Sequence, residues 1–151
     1  DIEKGILSFR KEKCDLIIAI GGGSVIDYAK LTNVLASQSN NSIDYIKKIK
    51  DIEKPGKPLV VIPTTSGSGS EATHFAVVYV GQKKFSVASR YVFPKYSIVD
   101  PEFTKSLSPM LTAYSGMDAL CQAIESYPIG SVSIFSTEVK AEIPNVSKAI
   151  P

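Results

Sequence analysis

The chain has 151 residues, of which 44% are hydrophobic and 21% charged, with a net charge of +2; this composition predicts a globular protein of about one domain. The balanced charges and the lack of an apolar run of about 20 residues lead us to expect neither nucleic acid nor a membrane as a partner. Cys14 and Cys121 form no CxxC pair, so we expect reduced core thiols in a cytoplasmic protein.

A first strand and helix are predicted on either side of a run of three glycines. Residues 15–20 (DLIIAI) are apolar on both faces, which predicts a central strand of a parallel sheet covered by helices. A helical pattern runs from Ser24 to about Ser37, and Asp27 three residues after Ser24 predicts a capping box at its start. Lys30 falls on the polar side of this helix and is expected at the surface or beside the glycines.

The next segments complete a βαβ unit. Residues 42–52 predict a short amphipathic helix, residues 58–63 (PLVVIP) a second buried strand, and residues 64–73 (TTSGSGSEAT) a loop. The order of strand, glycine-rich turn, helix and strand predicts an α/β fold with a Rossmann-like, doubly wound and mostly parallel sheet.

A β-hairpin follows this unit. Residues 74–80 and 85–89 read as its two strands, separated by turn residues 81–84. Lys83 and Lys84 are therefore expected to be solvated in the turn.

The last predicted elements are a strand and a helix. Residues 96–99 predict the strand, and Ser108-Pro109 supplies the N-cap and first residue of the helix. The helical pattern runs to Tyr127, with a break and restart at Ser115-Gly116. Residues 128–151 lose any periodicity, and no element is predicted there.

The three glycines are the first candidate site. Residues without a Cβ let a ligand touch the backbone, and the free amides of a helix start attract phosphate. Ile26 stands where a GxGxxG motif needs its third glycine, and no Walker A sequence is present. The pattern fits phosphate binding and an ordinary tight turn equally well.

Residues 64–73 are the second candidate, a loop rich in hydroxyls and glycines. Hydroxyls and backbone amides suit the ribose and phosphates of a nucleotide, although a flexible linker has a similar composition. The loop lies between apolar strands, and Glu71 is the only charged residue from 58 to 82. This setting favours nucleotide binding over a linker.

Asp118 and Gln122 are the third candidate, because they lie one turn apart on one helix face. Both can offer oxygen to a cation, but a catalytic metal needs three protein ligands. Ser115 and Asp118 also match a capping box, and on the pattern alone the cap is favoured. His74 is expected to be structural and Glu125 solvated.

Three segments of the chain resemble the iron-containing (group III) alcohol dehydrogenases, which have a dehydroquinate-synthase-like fold. IAIGGGSVIDYAK (18–30) resembles the family's pyrophosphate segment, and VIPTTSGSGSEAT (61–73) its nucleotide loop. VDPEFTKSLSPMLTAYSGMDALCQAIESY (99–127) resembles its metal-binding helix. Because the three segments occur in the family's order, the chain is identified as a member.

The resemblance implies a metal-assisted, NAD- or NADP-dependent oxidoreductase that interconverts a small alcohol and an aldehyde, working as a homodimer. It implies a divalent metal ion, Fe²⁺ or Zn²⁺, that polarises the substrate oxygen while hydride passes to or from the nicotinamide. No residue of this chain is assigned a catalytic role. The implied cofactor-binding residues are Gly22, Gly23, Ser24, Asp27, Thr64, Thr65, Thr73 and Lys84, and the implied metal ligands are Asp118 and Gln122.

The departures from the family pattern matter as well. Gln122 stands where many members have a histidine ligand, and no histidine follows His74, although the family's further histidine ligands lie in a helical C-terminal domain. We therefore expect a partial chain: residues 1–107 as a nucleotide-binding α/β domain lacking its N-terminal part, and residues 108–151 as the start of a helical metal-binding domain. Such a chain is expected to be inactive alone.

The segment DALCQAIESY, with its glutamine, resembles the phosphonoacetaldehyde reductase branch of the family, and a generic short-chain alcohol or diol dehydrogenase is the rival interpretation. Two other classes remain open: a non-catalytic nucleotide-binding module, and a metal-dependent lyase or synthase on the same fold. The whole hypothesis requires that the glycine turn and the hydroxyl-rich loop face one crevice.

Overall fold

A three-stranded parallel sheet and a separate two-stranded hairpin form the framework of the computed structural model, which describes residues 2–39 and 41–126. The helices are α1 (Ile2–Glu12), α2 (Gly23–Ala36), α3 (Ser42–Ile46) and α4 (Pro109–Ser126). The strands are β1 (Ile17–Gly21), β2 (Leu59–Pro63), β3 (Phe75–Val80), β4 (Lys83–Ala88) and β5 (Tyr96–Ser97). Short 3₁₀ turns occupy Ser70–Ala72, Arg90–Val92 and Pro101–Thr104.

The parallel sheet has the strand order β1-β2-β5. Ile17 lies opposite Leu59, and the register ends with Gly21 opposite Pro63. Because parallel neighbours end at the same edge, the loops that follow β1 and β2 emerge side by side. The predicted α/β class, with a parallel sheet and a hairpin, is confirmed.

The two faces of this sheet differ in burial. Ala19 and Val61 pack against Ile26 of α2 on one face, whereas Ile18 and Ile20 on the other face are 58% and 54% exposed. Within the described residues β1 also lies at the edge of the sheet. The prediction that residues 15–20 form a central strand covered on both faces is therefore wrong for this part of the chain.

A second hydrophobic cluster fixes the hairpin and α3 to helix α2. Burial of each large apolar side chain contributes about 1.5–3 kcal/mol, so this cluster holds β3 and β4 against the C-terminal half of α2. Its buried members are Ile6, Leu31, Val34, Leu35, Tyr45, Ile46, Ala76, Val87 and Val92.

Several element boundaries differ from those predicted; the strand predicted over 96–99, for example, ends at Ser97. The helix predicted over 42–52 ends at Ile46, since the chain turns at Lys48, which has φ 57°. The hairpin turn is only Gly81-Gln82, and Gly81 has φ 62°, the left-handed conformation that tight hairpin turns require. Lys83 and Lys84 consequently lie in β4, where both are exposed.

Helix α4 is continuous, contrary to the predicted break at Ser115-Gly116. Its start is as predicted: Pro109 is the first residue, and the Ser108 Oγ accepts a hydrogen bond from the Leu111 amide at 3.3 Å. The Ser115 Oγ donates to the Thr112 carbonyl at 3.1 Å, and a glycine inside a helix costs only about 1 kcal/mol, so the helix continues. Residues 127–151, including the predicted helix end at Tyr127, lie outside the described residues.

The two thiols are unpaired with each other and differ in exposure. Cys14 is half-buried and Cys121 is exposed, so the prediction of two core thiols is wrong; Cys121 lies on α4, which has no buried residue. None of the helices in the described ranges combines the length and the apolar character that crossing a bilayer requires.

Candidate functional site

The glycine turn joins the end of β1 to the start of α2. Gly22 is the N-cap residue in an extended conformation, and no side chain caps the helix. The amides of Val25 and Ile26 both donate to the Gly22 carbonyl, at 3.0 and 3.1 Å. The predicted capping box is wrong because the Asp27 side chain is engaged elsewhere, and the uncapped helix start keeps its capacity to attract an anion.

The hydroxyl-rich loop lies directly against this turn. The Thr64 amide donates to the Gly21 carbonyl at 3.0 Å. A Cβ added to Gly22 would lie 3.1 Å from the Thr65 Oγ1, and one added to Gly23 would lie 2.8 Å from the Ser68 Oγ. The structure thus brings the two predicted candidate segments together, with a narrow space that only glycines leave open.

Asp27 ties helix α2 to both the loop and the hairpin. Its side chain is nearly buried, with the residue 8% exposed. The Oδ1 atom accepts from the Ser70 Oγ at 2.9 Å, and the Oδ2 atom accepts from the Val77 amide at 2.9 Å. Both carboxylate oxygens are therefore used to hold the site together.

Lys30 is the second buried tie, and the expectation that it lies at the surface or beside the glycines is wrong. Its residue exposure is 1%. The Nζ atom donates to the Thr73 carbonyl at 2.8 Å, to the Thr73 Oγ1 at 3.2 Å and to the Phe75 carbonyl at 2.9 Å. These oxygens offset the cost of burying a charge.

Burial also changes the acidity of this ammonium. Loss of hydration lowers the pKa of Lys30 from 10.5 to about 8, and the negative charges of Asp27 and Glu71 oppose part of that drop. The sequence signal that could have indicated this role is the spacing Asp27-x-x-Lys30, which places an acid and a base on one helix face.

The hairpin presents one face to the core and the other outward. Ala76 and Val87 are buried, and because side chains alternate along a strand, Val77, Tyr79 and Lys84 share the opposite face. Residues 77–81 of the hairpin line a cavity of about 520 Å³ together with Ser24 and Asp27 and with Leu31 and Ile46 of the core cluster. Lys84 is paired with Tyr79 in register, so it lies on the outward face of the hairpin.

His74 lies at the entrance to β3, and its structural role stays a prediction. Its carbonyl accepts from the Ser89 amide at 3.1 Å, and its ring lies 4.0 Å from the ring of Phe75. Glu125 is exposed on α4, as expected.

Asp118 and Gln122 lie together on the exposed surface of α4. The Gln122 Nε2 donates to the Asp118 Oδ2 at 3.0 Å. The capping alternative for Asp118 fails, because Ser115 is inside the helix. Two oxygen donors do not make a metal centre, and in residues 2–39 and 41–126 no three His, Cys, Asp or Glu side chains are grouped as a metal would need.

Helix α4 touches the hydroxyl-rich loop at one close point. Gly67 has φ 139°, and a Cβ built on it would collide with the carbonyl oxygen of Ser115. A glycine is thus required here for conformation and for space. The contact places the helix that carries Asp118 beside the loop that faces the glycine turn.

Known proteins match the chain in sequence and in fold. The family model of iron-containing alcohol dehydrogenases matches residues 1–101. Long-chain-alcohol dehydrogenase 1 of Geobacillus thermodenitrificans is 42% identical over 127 residues, covering 83% of this chain and 32% of that protein. The NAD-dependent methanol dehydrogenase of Bacillus methanolicus is 39% identical, covering 83% of this chain and 33% of that protein.

A solved structure shows the same fold. Sulfoacetaldehyde reductase from Bifidobacterium kashiwanohense, crystallised in complex with NAD⁺, superimposes with a TM-score of 0.79 at 36% identity. The match covers 83% of this chain and 34% of that one. The chain spans about a third of the length of the curated relatives it matches.

Proposed function

Because this chain belongs to the iron-containing alcohol dehydrogenase family, we propose that it holds NAD or NADP within an oxidoreductase that interconverts a small alcohol and an aldehyde. The single observation that carries the proposal is the convergence of the uncapped glycine turn on the loop at 64–73. The names of two similar proteins, an NAD-dependent dehydrogenase and a reductase crystallised with NAD⁺, support the choice of cofactor.

The residues of the two bends fit a dinucleotide. Gly22, Gly23 and Ser24 stand at a helix start without a side-chain cap, where backbone amides suit a pyrophosphate. Thr64 and Thr65 lie across the narrow space from them. We assign these five residues to direct contact with the cofactor.

Three further residues complete the proposed cofactor site. We assign Thr73, at the end of the loop, and Lys84, on the outward face of the hairpin, to the nicotinamide-ribose half, as the family resemblance implies. Asp27 contributes by holding Ser70 and Val77 in place. When bound, NAD(P) supplies the hydride acceptor or donor, and the task of this chain is to bind and orient it.

We propose that helix α4 contributes two ligands, Asp118 and Gln122, to a metal site that is incomplete within the described residues. Asp118 supplies a carboxylate oxygen and Gln122 an amide oxygen, and further ligands would have to come from outside the described residues. A neutral amide oxygen is a poorer ligand for Fe²⁺ or Zn²⁺ than imidazole. The matching division of the chain is an α/β nucleotide-binding part at 1–107 and a helical metal-binding part from 108.

For the substrate, we propose a small aldehyde that carries an anionic group, such as phosphonoacetaldehyde. The support is Gln122 in the histidine position and the 36% identity to a reductase whose name specifies the sulfonate analogue. Because this chain is expected to be inactive alone, the test compares kcat/KM for phosphonoacetaldehyde, sulfoacetaldehyde and uncharged aldehydes in a longer enzyme that contains this chain and the remaining metal ligands. A preference for the uncharged aldehydes would contradict the proposal. The proposal extends to a cytoplasmic homodimer, which light scattering and cell fractionation would check.

The cofactor proposal is tested by binding alone. Titration of the protein with NADH and NADPH, followed by nicotinamide fluorescence, should give saturable binding. Thr65→Val and Gly23→Val should each weaken it about tenfold or more, because one removes a donor and the other fills the narrow space. Thr104→Val, a matched hydroxyl loss in the Pro101–Thr104 turn, should leave the Kd unchanged. Binding that survives both site variants would overturn the proposal.

A further inference from the structure

The hydrogen-bond geometry at Lys30 dictates the direction in which the Thr73 hydroxyl donates. An ammonium has three hydrogens and no lone pair, so every oxygen bonded to it must accept. The Thr73 carbonyl, the Phe75 carbonyl and the Thr73 Oγ1 surround the Nζ atom at 2.8, 2.9 and 3.2 Å. The Thr73 hydroxyl therefore accepts from Lys30, and its own proton must be donated elsewhere.

Thr73 belongs to the loop that is proposed to bind the dinucleotide. It is half-buried at the end of the loop that faces the glycine turn. The phosphates and ribose oxygens of NAD(P) are hydrogen-bond acceptors, so a hydroxyl with its proton available can donate to them. Lys30 itself is 1% exposed and does not reach a ligand.

We propose that Lys30 is a positioning residue of the cofactor site, whose ammonium keeps the Thr73 hydroxyl as a hydrogen-bond donor for the bound dinucleotide. The proposal rests on the proposed function and names a residue that acts through Thr73. It gives a reason for burying a lysine at this point of the fold, where an apolar side chain would pack at lower cost.

Deprotonation of Lys30 would reverse this arrangement. A neutral amine has a lone pair, and the Thr73 hydroxyl would then donate to Nζ and lose its proton for the ligand. The carboxylates facing the ammonium are Asp27 on its own helix, 4.0 Å away, and Glu71 on the loop, and both favour the charged form. With burial setting the pKa of Lys30 at about 8, the change falls in an accessible pH range.

The experiment is an NADH titration of the protein between about pH 7 and about pH 9.5, followed by fluorescence. For the wild type, the Kd should rise about tenfold over this range, as expected for loss of one hydrogen bond to a charged or strongly polar group. Lys30→Met should raise the Kd about tenfold at pH 7 and make it independent of pH. Thr73→Val should do the same, and the double variant should show no further loss.

Two comparisons separate this role from simple stabilisation. Lys30→Arg, which stays charged, should bind NADH well at both ends of the range without a pH dependence. Asn33, on the same helix and 3% exposed, bonds only the backbone of Lys57 among the described contacts, at 2.7 and 2.8 Å. Asn33→Leu should lower the Tm but keep both the Kd and its pH dependence.

The outcomes are distinguishable from failure of the proposed function. Absence of NADH and NADPH binding to the folded wild type overturns the proposed function and this proposal with it. Binding that is tight but flat with pH, or a pH dependence that persists in Lys30→Met, overturns only the role of Lys30. If Lys30→Met does not fold, the wild type, Lys30→Arg and Thr73→Val still decide between these outcomes.

Discussion

Lys30 and Asp27 show how single residues hold this site. Both lie on one face of α2, and both side chains reach across to residues more than forty positions later in the chain. Removing one partner of such a buried polar contact leaves the other unsatisfied, which costs about 1–3 kcal/mol. The two residues therefore act together to fix the loop against the glycine turn.

The lowered pKa of Lys30 predicts a pH-dependent stability. Between the folded value of about 8 and the ordinary value of 10.5 the unfolded chain binds more protons, so the free energy of unfolding rises with pH in this window. The full pKa shift corresponds to an increase of roughly 3 kcal/mol in the free energy of unfolding. This increase is absent below about pH 8 and complete above about pH 10.5. Urea unfolding should show that the free energy of unfolding of the wild type, relative to that of Lys30→Met, increases by about this amount between these pH values. A difference that does not change with pH would contradict the prediction.

At the scale of elements, helix α4 is the clearest test. Gly116 lies inside it, and a Cβ added there meets nothing within 4 Å. Gly116→Ala should therefore stabilise the helix by about 0.5–1 kcal/mol, seen as a higher Tm and greater helicity by circular dichroism.

Gly81 is the matched control for this substitution. It has φ 62° in the hairpin turn, and a side chain there is strained although no atom is near. Gly81→Ala should lower the Tm. Destabilisation by Gly116→Ala would indicate that Ser115-Gly116 is a break after all.

Elements were predictable where local pattern decides them. The apolar runs ending at the glycines and at Pro63 became β1 and β2, and Ser108-Pro109 marked the start of α4. The sequence pattern predicts a hairpin turn that is two residues too long, because Lys83 and Lys84 resemble turn residues in composition. Their pairing with Val80 and Tyr79 depends on the partner strand. The ends of a strand are set by its pairing with the neighbouring strand, and the local sequence alone does not reveal that pairing.

For the whole molecule, stability should depend on the cluster that joins α2 to the hairpin. Leu31 is 0% exposed in that cluster, and Leu7 on α1 is 64% exposed. Leu31→Ala should lower the free energy of unfolding by about 2–5 kcal/mol, through lost burial and the cavity left behind. Leu7→Ala should cost well under 1 kcal/mol in the same denaturant titration, and equal effects would contradict this core assignment.

Much of the proposed cofactor site could be read from motifs, because glycines before a helix and a hydroxyl-rich loop between strands each indicate a phosphate or nucleotide site. The buried hydrogen bonds of Asp27 and Lys30 could not be predicted from motifs. On the helical pattern Lys30 belongs to a polar face, and a polar face is normally solvated. Only the folded loop at 64–73 and the start of β3 supply the oxygens that bury it.

The sequence by itself determined the α/β class and the family, and it indicated the two segments that are proposed to bind a dinucleotide, since these follow from local periodicity and from residue types at short spacing. The tertiary structure decided that the glycine turn and the loop at 64–73 lie against each other, and that α4 meets this loop at Gly67. It also decided that Asp27 and Lys30 are buried against the end of the loop and strand β3. The physical reason is that burial and hydrogen bonding depend on which oxygen or amide from a distant part of the chain lies beside a side chain. The spacing of residues along the sequence does not reveal these neighbours.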